Sequence, residues 1–342
     1  MIKFKSLKRL VFFIILITVI LISSIGVILY KNAINKPLKS NENVTIVEVR
    51  YGEGVYGVLD RLQKEGKLTN KYFIKLNLML NKKNIDLKEG IYEVNSKVNL
   101  NELISILNNE SDNQKLKKLT IPEGYDIDKI AKKVEEEGFC SKDAFLNAVK
   151  NYPVPEFVKQ DENKRYNLEG FLYPDTYLLK DDVTPDFIIK VMLRRFTEVL
   201  GNIENDLGID IKNEDLEKTI TIASMIENEA RYDKDRSLIS SVIYNRLNDN
   251  MKLQLDATVI YALGYHVDVV LNKHLAIDSP YNTYKYSGLP VGAICNPGKE
   301  SIKAALNPEK TDYLFYILQD NGYHYFCNNY DDFLKKKKEL GY

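Results

Sequence analysis

Apolar residues run without a charge from residue 10 to residue 30, and only after that does the chain begin to alternate. At 1.5 Å per residue a run of about 20 such residues crosses a hydrocarbon core, so this stretch reads as a transmembrane helix. Residues 44–50 (VTIVEVR) alternate apolar and polar, the period of a half-buried strand. Helical spacing follows over 58–65 and 70–81, then a strand over 88–94 and a short helix over 100–107. Strand, helix, helix, strand, helix makes a small α+β unit. A polar linker over 110–118 leads to a second round: a strand at 119–122, a helix at 126–137 capped by Asp126, and a helix at 141–150 opened by Ser141. Residues 152–177 are aromatic and loop-rich. A long amphipathic helix is expected over 184–200, with Pro185 in its first turn and Gly201 as its stop. Two amphipathic helices, the second over 235–247, are joined by a charged turn within 216–255. Residues 251–261 read as a short strand or turn passing into another helix. Gly- and Pro-rich loops over 288–298 precede a helix at 301–306 capped by Glu300 or Ser301. A hairpin of strands 313–318 and 323–326 and a lysine-rich helix at 331–340 close the chain.

The expected fold class is thus α+β, in five parts: a cytoplasmic N-terminus (1–9), a transmembrane anchor (10–30), a linker (31–43), a small α+β subdomain (44–112) and a larger mixed α+β domain (113–342). Lys3, Lys5, Lys8 and Arg9 precede the apolar run, which by the positive-inside bias keeps the N-terminus cytoplasmic. The run is longer than a signal-peptide core of roughly 7–15 residues and no A-x-A site follows, so the anchor is expected to stay uncleaved. An extracytoplasmic body weighs against ATP- or NAD-dependent chemistry. The segment Gly52-Glu53-Gly54-Val55-Tyr56-Gly57 matches G-x-G-x-x-G after a strand, but no second parallel strand follows, so it reads as a glycine turn. Lys plus Arg equals Asp plus Glu at 48 each, which leaves no global basic field for nucleic acid. Cys140, Cys295 and Cys327 are widely spaced, and His266, His274 and His324 are the only histidines. That spacing fits neither a zinc site nor a disulfide framework, and no metal or cofactor is expected.

The candidate chemistry centres on Glu227. On a helix of about 100° per residue, Leu216, Ile220, Ala223 and Ala230 share an arc, with Ile226 on its flank, and Glu227 falls inside it. Partial desolvation at such a position disfavours a charged carboxylate, which is the condition a general acid needs at neutral pH. Over 167–177 (NLEGFLYPDTY), aromatic rings lie beside Glu169 and Asp175. That composition suits sugar binding and equally suits a well-packed loop. Gln254 and Thr258 are candidates to hydrogen-bond a substrate or to tie a loop.

Several segments carry a resemblance that covers most of the chain from residue 119 on: LTIPEG (119–124), NLEGFLYPDTY (167–177), IASMIENEA (222–230), VIYNRL (242–247), MKLQLDATVIYALG (251–264), DSPYNTYKYSGLPVGAICNPG (278–298), SIKAALNP (301–308) and the terminal HYF (324–326). With the N-terminal anchor, these resemble the YceG-like endolytic murein transglycosylases, the MltG family. Residues 44–110 resemble that family's LysM-like subdomain, and the rest its YceG-like catalytic domain. The resemblance implies a peptidoglycan lyase that cuts the β-1,4 bond between N-acetylmuramic acid and N-acetylglucosamine and leaves a 1,6-anhydro end. It implies Glu227 as the catalytic acid, closing A-S-x-x-E (223–227), with Glu229 about 160° round the helix as a competitor or supporting group. Gln254, Thr258, Tyr281, Asn282 and Tyr284 are expected to line the glycan groove. Departures from the family pattern occur at Asn228, Leu255 and Val291. The implied partners are nascent glycan strands, the membrane and a penicillin-binding synthesis complex. Two other readings use the same residues: a lysozyme-like hydrolase that uses water, and a non-catalytic wall-binding scaffold.

Overall fold

The apolar run forms the 34-residue helix α1 (Ile2–Asn35), in which Phe12–Asn35 is long and apolar enough to cross a membrane. The structure, a computed structural model, describes residues 2–40, 44–50, 52–81, 85–108, 116–265, 267 and 269–341. Residues 41–43 of the expected linker, most of the polar stretch at 110–118, and His266 therefore lie outside the described residues. The chain divides into two compact units, Met1–Lys117 with Leu178–Lys180, and Lys118–Tyr177 with Asp181–Tyr342.

In the first unit β1 (Val44–Val49) pairs antiparallel with β2 (Gly90–Asn95), from Val44 opposite Asn95 to Val49 opposite Gly90. Helices α2 (Val55–Lys64) and α3 (Lys71–Asn81) lie between the strands in sequence, and α4 (Leu100–Asn108) follows. Val47, Val49, Val58, Leu62, Ile74, Val94 and Leu103 are among the residues that close one core. In the glycine turn Glu53 accepts from the Arg50 N–H at 3.2 Å and from Arg61 at 3.0 Å. The expected linker is shorter than the 31–43 read from composition. Ala33 at the end of α1 and Leu38 are buried in this core, and Lys39 and Thr69 N–H groups donate across to Lys67 and Pro37 carbonyls. Two apolar residues in a polar stretch were enough to dock it.

Further along the chain, β3 (Leu116–Thr120) pairs with β4 (Thr176–Lys180). β4 starts in the last two residues of the aromatic segment that reads as loop; its pairing with a strand 56 residues upstream supplies what its composition does not signal. Helices α5 (Ile127–Glu136) and α6 (Lys142–Asn151) start where expected, with Asp126 and Ser141 side chains accepting from Lys129 and Ala144 N–H groups. Helix α7 (Pro185–Leu207) does not stop at Gly201. Glycine costs a helix interior about 1 kcal/mol, and fully buried Ile203 lies beyond it to offset that cost. The stop is Gly208, at φ +67°.

Helices α8 (Asn213–Glu229) and α9 (Asp233–Asn248) form the centre, packed by α10 (Asp256–Leu263) and α12 (Lys299–Leu306). α8 is less amphipathic than its sequence suggests: every residue from Thr219 to Ile226 is buried. No strand forms at 251–255, where Asn250 and Gln254 take φ of 54° and 53°. The short α11 (Asn272–Leu275) follows. α12 is capped by Gly298 rather than Glu300 or Ser301, because Ser301 is wholly interior. The hairpin β5 (Phe315–Leu318) and β6 (His324–Cys327) pairs Phe315 with Cys327 and Leu318 with His324, and α13 (Tyr330–Glu339), capped by Asn329, closes the chain.

Candidate active site

The last turn of α8 projects Glu227 and Glu229 to different surroundings, as two residues about 160° apart on one helix must be. Glu227 leaves only 7% of its side chain exposed. One carboxylate oxygen accepts the Gly298 N–H at 2.9 Å, at the start of α12, and the other lies 3.3 Å from Arg236 Nη1. Arg236, in the first turn of α9, is held in turn by Asp233 at 3.0 Å and by the Ser301 hydroxyl. A buried acid is thus set against a buried guanidinium and a helix-start amide, both of which stabilise its anion.

Glu229 points the other way. Its carboxyl accepts from the Tyr316 hydroxyl at 3.1 Å and is pushed up to about 7, first by burial and then by the Asp256 charge, against the opposing Tyr316 bond and Arg246. It forms part of the wall of two cavities. One, of about 500 Å³, is lined by Gln254, Asp256, Tyr284, Phe315, Tyr316 and Tyr330 among others. The second, of about 560 Å³, is lined by Asp128, Lys129, Arg165, Asn228, Asp256 and Tyr261 among others. Rings, acids and amides around a cleft are suited to a sugar, whose C–H faces stack and whose hydroxyls need acceptors.

Of the five expected groove residues, the structure brings Gln254 and Tyr284 to the first cavity, with Tyr284 donating to Asp256 at 2.6 Å. The other three sit beneath the surface and correct the expectation. Thr258 is fully buried and bonds the Leu255 carbonyl and the Thr283 hydroxyl. Tyr281 is 4% exposed; its hydroxyl accepts the Arg165 N–H and its ring packs on Tyr261. Asn282 donates to the Leu275 and Ile277 carbonyls and accepts from the Tyr284 and Lys285 N–H groups. Their polar atoms are satisfied by the protein, so they shape the loop that carries Tyr284.

Glu169 likewise is an interior organiser and not a sugar contact. Both its oxygens accept the Ile127 N–H at 3.2 Å, and it also accepts from Tyr261 and Asn296 at 2.9 Å. Asp175 is tied to Arg195 at 2.6 Å. Burial pushes the Glu169 carboxyl up to about 8 from 4.5. Its folded value lies above its unfolded one, so across that window the folded chain keeps a proton that the unfolded chain has lost. Stability therefore falls as pH rises from about 4.5 to about 8. Glu169→Gln is expected to flatten that part of the slope, removing on the order of 2–4 kcal/mol of pH dependence in denaturant unfolding followed from acid to mildly alkaline pH.

Four contributors escaped the sequence reading: Arg236, Asn296, Gly298 and Tyr316. Arg236 looked like one charge in a charged turn, and Gly298 like one glycine among several. The three cysteines are free thiols, and Cys295 lies against the Ser224 carbonyl at 3.3 Å.

A model of the YceG-like family matches residues 47–339. An endolytic murein transglycosylase of Bacillus subtilis (strain 168) is 33% identical over 333 residues, covering 92% of this chain and 90% of its own length. An endolytic murein transglycosylase of Streptococcus pneumoniae serotype 2 (strain D39 / NCTC 7466) is 32% identical over 327 residues; the match covers 86% of this chain and 58% of that longer protein. A crystal structure of a yceG-like protein from Listeria monocytogenes superposes with a TM-score of 0.58 at 32% identity, covering 87% of this chain and 100% of that one.

Proposed function

The chain belongs to the YceG-like family, and on that premise we propose that it is an endolytic peptidoglycan lytic transglycosylase with Glu227 as its acid and base. The observation that carries the assignment to Glu227 is its enclosure between the Gly298 N–H and Arg236. Protonated Glu227 donates to the glycosidic oxygen as the muramyl C1–O bond breaks and an oxocarbenium-like centre develops. The carboxylate left behind is the species that the Gly298 amide and the Arg236 guanidinium stabilise. It then takes the proton of the muramyl 6-hydroxyl as that oxygen bonds to C1. Glu227 ends protonated, no water is consumed, and the product carries a 1,6-anhydro ring. Gln254 and Tyr284, with Glu229 behind them, are assigned to hold the glycan.

The rest of the chain fits this role. α1 fits a membrane anchor, and the positive-inside bias of Lys3, Lys5, Lys8 and Arg9 supports a cytoplasmic N-terminus with the chain after α1 outside. Antiparallel strands enclosing two helices support a LysM-like reading of the first unit. The substrate is nascent glycan near the membrane, where cleavage ends strand elongation beside a penicillin-binding polymerase. Mass spectrometry of digested glycan is expected to give muramyl ends lighter by about 18 Da, one water, than hydrolytic ends. Ends of full mass would assign a lysozyme-like hydrolase instead, and binding without any cleavage would assign a wall-binding scaffold.

A second reading rests on one observation: Glu229, pushed up to about 7, forms part of the wall of both cavities. If Glu229 were the acid, Glu229→Gln would abolish cleavage and Glu227→Gln would spare it.

A further inference from the structure

Helix α3 is apolar on two sides, and the core of the first unit uses only one of them. Ile74 and Leu78 are buried. Tyr72, Leu76, Met79 and Leu80 stay 73%, 45%, 66% and 68% exposed. On a helix these four fall within one arc of about 100°. Phe73 and Asn77 border the arc on one side, and Lys71 and Lys75 border it on the other. Single exposed apolar residues are ordinary, but a continuous stripe of four large ones marks a contact surface.

The borders of the stripe indicate what covers it. Phe73 and Asn77 dock α3 on α1: the Phe73 ring meets Tyr30 edge-on with centroids 6.1 Å apart, and the Asn77 amide donates to the Tyr30 hydroxyl at 2.7 Å. Ala33 and Ile34, one turn further along α1, pack into the same core. Tyr30 closes the uncharged run, and Lys31 is the first charge after it. Counted from residue 10, about 20 helical residues fill a hydrocarbon core of about 30 Å, which leaves Tyr30 at its outer boundary. Tyrosines of membrane proteins collect at that level. α3 is therefore fastened at the boundary, with its stripe beside the point of attachment. The far border carries groups that suit lipid headgroups. Lys71 and Lys75 lie over the rings of Tyr72 and exposed Tyr56, and both pair with Asp60, at 3.1 and 2.9 Å.

We propose that the exposed face of α3 lies in the outer surface of the bilayer, with Tyr72, Leu76, Met79 and Leu80 entering the boundary between headgroups and acyl chains. The inference rests on the reading of α1 as a membrane-spanning helix and goes beyond it: the first unit is seated on the membrane, where a flexible tether would leave it free above. Lipid that surrounds α1 up to Tyr30 meets the stripe directly, because Tyr30 touches the two residues that border it. An interfacial helix sinks its apolar side about 5–10 Å into that boundary and keeps its cations among the headgroups. The order apolar stripe, then lysines and a tyrosine, matches that gradient of polarity.

The chain contains no tryptophan, so a single introduced one reports its own surroundings. Leu76→Trp, Met79→Trp and Phe13→Trp are made separately in the full chain and reconstituted into phospholipid vesicles. Each is titrated with lipids brominated near the top of the acyl chain and, separately, with aqueous iodide. Brominated lipid is expected to quench the tryptophans at positions 76 and 79 by about twofold or more, and iodide to quench them several-fold less than free N-acetyltryptophanamide. Full iodide quenching with no effect of brominated lipid places the stripe in water and overturns the proposal. Protection from both quenchers overturns it as well and assigns the face to a second copy of the chain, the only other macromolecule in the vesicle. Phe13→Trp separates this failure from that of the anchor reading: if brominated lipid does not quench it, α1 does not span and both readings fall together. Positions 76 and 79 are both exposed, and either carries the test if the other variant does not fold.

Discussion

Glu227→Gln is expected to lower glycan cleavage by about 10²–10⁴-fold, the usual contribution of a positioned general acid and base, while the chain stays folded. The substitution keeps the shape of the side chain. Its amide oxygen can still accept the Gly298 N–H, and Arg236 retains Asp233 and the Ser301 hydroxyl. What is lost is the proton given to the leaving oxygen and the base that later accepts one. The loss should therefore fall on kcat with little change in KM, since Gln254 and Tyr284 still line the cavity. Counting anhydro-muramyl ends by mass spectrometry gives the rate directly. Wild-type cleavage by this variant, with Glu229→Gln inactive, would transfer the role to Glu229.

The second large effect is on folding. Asn296 is fully buried, and its amide is completely satisfied. Its nitrogen donates to the Tyr125 carbonyl and to Glu169, both at 2.9 Å, and its oxygen accepts the Gly170 and Leu172 N–H groups at 3.0 and 2.8 Å. Two donors and two lone pairs are the whole capacity of the side chain. Asn296→Ala strands these buried partners at about 1–3 kcal/mol for each unsatisfied group, and a total loss of roughly 3–5 kcal/mol is expected, at the upper end for one substitution. The neighbourhood cannot rearrange to compensate. Gly170 beside it takes φ +91°, where a β-carbon would sit 2.6 Å from Ile220 and 2.7 Å from Ala293. Urea unfolding measures the loss. Activity should fall with it, because Asn296 joins the turn after β3 to the loop that presents Gly298 to Glu227. A variant as stable as wild type would show that this polar cluster is not what assembles the site.

The helices were legible because their signals are local. Asp126, Ser141 and Thr184 cap the helices they precede, and the side-chain bonds that make them caps lie within three residues. The apolar run of α1 declares itself by length alone. The same local logic misplaced the end of α7 at Gly201, because whether a glycine stops a helix depends on what is buried beyond it. β4 was missed because its pairing partner lies far upstream. Thr258, Tyr281 and Asn282 were expected in the groove because polar residues in a loop can face either way, and only packing chooses.

The proposed acid shows the division most clearly. The linear pattern, with the family resemblance, picked Glu227 out of 48 acidic residues, because a carboxyl on the apolar arc of a helix is visible in a one-dimensional period. Nothing in that period reveals Arg236 in the next helix or Gly298 some seventy positions on. Ion pairs and backbone donors act over about 3–4 Å of space, and sequence separation carries no measure of that distance. The sequence by itself determined the anchor, most of the helices and the likeness to wall lyases. The tertiary structure alone decided which carboxyl meets a guanidinium, which lies along two cavities, and which only holds the interior together.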